Sequence, residues 1–125
     1  MVSPNFNYKQ VIVIRRDLEE MSVGKAIAQA CHASEEAVHL AEIKNQQIVD
    51  EWRAEGFRKI VCQVYSIEDM QTIYDKAKEV GLPVFWVSDF GCTELPPNTA
   101  TAIAIGPDLN KNVNKVTKDL EKFGD

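Results

Sequence analysis

With 125 residues, 45% of them hydrophobic and 26% charged, the chain is long enough for one domain with a buried core. No apolar run approaches the roughly 18 residues that cross a bilayer, and Met1-Val-Ser-Pro-Asn5 lacks the basic start and apolar stretch of a secretory leader, so a cytoplasmic protein is expected. A net charge of −5 argues against a uniformly basic nucleic-acid surface, so any RNA contact would have to come from a local patch.

Residues 1–8, with a proline and two asparagines, read as an irregular arm ahead of a domain spanning 9–125. Residues 10–15 (Gln-Val-Ile-Val-Ile-Arg) form a first strand by their β-branched run. Ser22 caps a helix running to about residue 41, rich in alanine at 26, 28, 30, 33, 37 and 41. A second helix covers 45–54, with Ile48 and Trp52 on one face and Gly56 ending it. Residues 59–64 form the second strand. Ser66 and Asp69 resemble a capping box for a helix whose apolar face is Met70, Ile73, Ala77 and Val80, closed by Gly81 and Pro83.

The stretch 84–107 holds two apolar runs, 84–87 and 99–105, around a polar loop. Gly106-Pro107 is expected to stop the second run, and Asp108 to cap a last helix with Leu109, Val113, Val116, Leu120 and Phe123 as its buried stripe. The order β-α-α-β-α-β-β-α implies a sheet covered by helices on both faces. Right-handed crossovers make three strands parallel, and the short connection leaves the fourth antiparallel. The ends of strands one and three and the start of strand four then share one edge, where ligands of such sheets bind.

Three cysteines, Cys31, Cys62 and Cys92, are odd in number and widely spaced, which fits reduced thiols. No CxxC or clustered His/Cys spacing suggests zinc, and no metal or cofactor is expected. Lys25, Gln29 and His32 fall at i, i+4 and i+7, one helical face that is either a polar wall of a site or a solvated stripe. A lysine in the first turn opposes the macrodipole and is better tolerated beside an anion. Gly24-Lys25 is not a P-loop, because Glu19 and Ala26 stand where glycine and a hydroxyl residue are required. Asp89, ending the third strand, is a candidate general base, or an Asx-turn residue. Thr93 and Thr101 follow it. Cys92 with His32 would be a nucleophile pair without an orienting third residue. His39 reads as a surface or packing residue.

Several segments, in order, resemble the type-II peptidyl-tRNA hydrolase family. They are Gln10-Val-Ile-Val-Ile-Arg15, Gly24-Lys-Ala-Ile-Ala-Gln-Ala-Cys-His-Ala33, Gly81-Leu-Pro83, Asp89-x-Gly-x-Thr93, Pro97-x-Thr-x-Thr101-Ala-Ile-Ala-Ile-Gly-Pro107 and Lys115-Val-Thr117. The resemblance implies a three-layer α/β/α domain with a four-stranded mixed sheet, usually a homodimer. It also implies a metal-free hydrolysis of the ester between peptide and tRNA. Lys25, Asp89, Thr93 and Thr101 would be catalytic, with Gly24, Gln29, His32, Gly91 and Thr99 binding the substrate. Phe90, Cys92 and Glu94 replace the Ala, Arg and Gln usual in the loop, which implies weaker phosphate attraction. A weakly active or inactive interaction module of the same fold, or a hydrolase of another ester, is the alternative.

Overall fold

Side chains of the first strand alternate between two apolar cores, and this sets the layers. The computed structural model describes residues 6–91 and 94–124. Val11 and Val13 of β1 (Tyr8–Arg15) enter one core with Cys62, Val64, Met70, Ile103, Ile105 and Val113. Ile12 and Ile14 face the other, against Ala26, Ala33 and Ala37 of α1 (Val23–Lys44). The alanines let this long helix lie close to the sheet. Gln10, fully buried, joins the two: its Nε2 donates to the Ser34 and Gly106 carbonyls at 3.1 Å, and Ser34 Oγ donates to its Oε1 at 2.6 Å.

The chain continues through α2 (Gln46–Ala54), β2 (Lys59–Val64), α3 (Ile67–Glu79), β3 (Val84–Asp89), β4 (Thr99–Leu109), α4 (Asn110–Thr117) and β5 (Glu121–Lys122). The strands lie in the order β3-β4-β1-β2-β5. β1 and β2 run parallel, while β4 is antiparallel to both β1 and β3. The first three strands therefore share a direction and the fourth opposes them, as expected. α1 covers one face of the sheet, and α3 and α4 line the other. Among the described residues no helix is long and apolar enough to cross a membrane.

The expected caps at Ser22 and Ser66 form: Ser22 Oγ accepts from Lys25 N at 3.1 Å and Ser66 Oγ from Asp69 N at 3.0 Å. Asn45 caps α2 in the same way, its Oδ1 accepting from Gln47 N at 3.1 Å. Gly56 and Gly81 take positive φ at the ends of α2 and α3.

Several expectations are corrected. Among the described residues the sheet has five strands rather than four. Residues 121–122 leave the helical path and pair antiparallel with Cys62 and Gln63 of β2. Gly106-Pro107 does not stop β4. The strand continues to Leu109, because Tyr8 and Lys9 offer it backbone partners through an irregular register. Gly106 has φ +93, and a Cβ there would lie 2.8 Å from the Lys9 carbonyl oxygen. Asp108 ends up in β4. The last helix starts at Asn110, with Asp108 Oδ1 accepting from Leu109 N at 2.7 Å and Asn112 Nδ2 at 3.0 Å. The expected stripe thins accordingly: Val113 is buried, but Phe123 is exposed. In α2 the buried pair is Val49 and Trp52 rather than Ile48 and Trp52, and Val80 is exposed. Tyr8, expected in the arm, belongs to β1, and residues 1–5 of that expected arm lie outside the described residues.

Candidate active site

Three chain segments converge at the carboxyl edge of the sheet: the start of α1, the end of β3 and the start of β4. The β3–β4 register brings this about, with Val87 opposite Ala102 and Asp89 opposite Thr99. Between Val87 and Ser88 the register shifts, because Ser88 pairs with Ala100. Thr101 is thus the extra residue of a bulge. Bulges re-aim side chains and recur beside active sites. Thr101 is fully buried. Its hydroxyl accepts from Gln29 Nε2 at 2.9 Å and donates to the Val87 carbonyl at 3.4 Å.

Lys25 leaves the first turn of α1 and forms an ion pair with Asp89 Oδ1. The anion that a lysine at a helix N-terminus favours is therefore a carboxylate of the same chain. Asp89 is 4% exposed, and its other oxygen accepts from Gly91 N at 2.7 Å. The turn reading of Asp89 is met by the Gly91 N–H on its carboxylate, and the ion pair with Lys25 is an addition that the sequence reading did not contain. The hydrogen bond from Lys25 holds the Asp89 carboxyl below its ordinary pKa. The Gly91 N–H acts in the same direction, and burial opposes them. Gly91 adopts φ +82, and a Cβ there would come within 2.7 Å of Pro97. Asn98 also has positive φ, at 63°, and its N–H closes the loop onto the Asp89 carbonyl at 2.7 Å.

Beside this pair runs a groove of about 540 Å³ between α1 and β3. Lys25, Gln29, His32 and Glu36 form its polar wall, and Phe85, Val87 and Phe90 its apolar one. The helical stripe Lys25-Gln29-His32 therefore lines a cavity. Glu36 extends it by one more turn, a residue missed in the sequence although it continues the same spacing. His32 is exposed. Thr101 sits behind the groove and reaches it through Gln29. Gly24 and Thr99 are not among the residues lining the groove. Gly24 lies in the first turn of α1, and Thr99 Oγ1 donates to the Pro96 carbonyl at 2.7 Å, stiffening the loop. Thr93 and Cys92 lie outside the described residues, and with Cys92 the Cys-His pairing. His39 is exposed on α1.

Glu94 was read from sequence only as a charge that weakens phosphate attraction. Its Oε1 accepts from Ser22 N at 2.8 Å, at the cap of α1. Hydrogen bonds from the Ser22 backbone and side chain hold its carboxyl below the ordinary range. No local signal could have revealed this contact, because the partners lie 72 residues apart.

Fold and groove together define a small α/β domain with a lysine–carboxylate site at the carboxyl edge of a mixed sheet. A family model described as peptidyl-tRNA hydrolase PTH2 matches residues 8–123. A peptidyl-tRNA hydrolase of Methanocaldococcus jannaschii is 45% identical over 113 residues, 90% of this chain and 97% of that one. One of Aeropyrum pernix is 45% identical over 120 residues (93% and 96%), and one of Staphylothermus marinus 42% over 117 (94% and 96%). The chain belongs to the peptidyl-tRNA hydrolase PTH2 family.

Proposed function

We propose that this protein hydrolyses the ester bond between the peptide and the tRNA of peptidyl-tRNA, at the Lys25–Asp89 pair. The observation that carries this reading is that ion pair, set beside the Gln29–Thr101 hydrogen bond in a chain of this family. An ester needs an activated water and a donor for the charge that develops on its carbonyl oxygen. Asp89, with its pKa lowered by Lys25, is a weak proton acceptor, so its role is to hold Lys25 and orient the water rather than to act as a strong base. Lys25 and nearby backbone N–H groups supply the positive field for the oxyanion or the adjacent phosphate. Thr101, held by Gln29, and Thr93 position the water or the ester. Of the residues that the resemblance assigns to substrate binding, Gln29 and His32 offer contacts in the groove, while Gly24, Gly91 and Thr99 support the helix start and the loop beside it. The same reading includes one domain over residues 9–125, a homodimer and a cytoplasmic location; the resemblance supports the first two. Sedimentation of the purified protein tests the second of these.

The test is peptide release from N-acylated aminoacyl-tRNA at low and moderate salt. Lys25→Ala and Asp89→Asn should each lower kcat/KM by about 10²–10³ while leaving the circular dichroism spectrum unchanged. Wild-type release by both folded variants would overturn the assignment.

A further inference from the structure

A helix start bounded by Ser at the cap is often completed by a Glu three residues on, whose side chain reaches back to the cap N–H. In α1 that third position is Lys25, and the first turn contains no acid. The Lys25 side chain is committed to Asp89. The Ser22 N–H is satisfied instead by Glu94, from the loop that follows β3. Half of the capping box comes from α1, where Ser22 Oγ accepts from Lys25 N, and half from the loop. The loop is closed at its base by the Asn98 N–H on the Asp89 carbonyl, and Leu95, next to Glu94, is buried. Glu94 and Leu95 therefore moor the loop tip, and Glu94 ties it to the turn of helix from which Lys25 projects.

We infer that Glu94 is a positioning residue, which completes the cap of α1 in trans and thereby fixes the start of the helix against the loop so that Lys25 meets Asp89. The inference rests on the hydrolase reading for its kinetic consequence but not for the contact itself. Its chemistry requires an acceptor oxygen at position 94, not specifically a charge. Glu94→Gln keeps an acceptor oxygen and Glu94→Ala removes it, and the two variants separate tethering from charge.

Amide hydrogen exchange and kinetics are measured on the full chain. In Glu94→Ala, the Ser22 and Val23 amides should exchange faster. The kcat for peptide release should fall about 10- to 100-fold, the scale of a misplaced catalytic group. In Glu94→Gln, protection should return and kcat should lie within about threefold of wild type. Unchanged protection in Glu94→Ala overturns the tether, and this readout does not depend on activity. Were the wild-type protein inactive, the hydrolase reading would fail while the exchange data still decided the tether. A lower KM with unchanged kcat in both variants would mean that Glu94 acts only by repelling phosphate, and would also overturn the inference.

Discussion

A carboxylate with both oxygens engaged, one by Lys25 and one by the Gly91 N–H, responds to acid in a definite direction. The folded pKa of Asp89 lies below its ordinary 3.8, so in that range the unfolded chain takes up the proton first. Stability from this group is fully present above the unfolded pKa and is lost as pH falls through the folded one. Asp17, bonded to Arg15, and Glu94 have the same sign. Urea titrations of Asp89→Asn should therefore show a shallower loss of stability below about pH 4 than wild type, with no change in slope above about pH 6. An unaltered acid limb would mean that Asp89 and Lys25 do not interact in solution. At this scale the sequence made the residue types legible better than their geometry. The i, i+4, i+7 spacing of Lys25, Gln29 and His32 identified a face, and the family motif selected Asp89. The burial of Thr101 was hidden, because it follows from a register shift between two strands. The partner of Glu94 was hidden because it comes from the other end of the fold.

The starts of α1 and α3 were readable because a cap is local: Ser22 and Ser66 each bond to a backbone N–H three residues on. Strand ends were not, because a strand extends as far as its neighbour offers partners. β4 continues past Gly106 because Tyr8 and Lys9 lie alongside it. The same crowding makes Gly106 sensitive. With φ +93 and only 2.8 Å between a Cβ and the Lys9 oxygen, Gly106→Ala should cost roughly 2 kcal/mol or more in urea denaturation. A loss below about 0.5 kcal/mol would show that the two strands separate there at little cost. The helical spacing of Val113, Val116, Leu120 and Phe123 continued beyond the true end of α4. Periodicity cannot register that residues 121–122 find backbone partners on β2 instead.

Over the whole molecule, two cores on opposite faces hold the sheet between α1 on one side and α3 with α4 on the other. The succession of strands and helices along the chain made this layering legible, and the crossover rule gave the strand directions. The spatial order β3-β4-β1-β2-β5 was not readable, because only long-range pairing defines it. That order leaves β3 at one margin, beside the groove, and β5 at the other. β5 has only two residues, yet the segment around it is fastened: Phe123 N donates to the Val61 carbonyl at 2.9 Å, and Arg16 reaches the Gly124 carbonyl at 2.6 Å. Such a short charged strip shields the hydrogen-bonding rim of β2 from other chains, as natural sheets do at their margins. Deleting residues 121–125 would expose Cys62 and Gln63 as a template for intermolecular strand pairing. The shortened protein should gain concentration-dependent light scattering. A monodisperse truncated protein would show that β2 needs no guard.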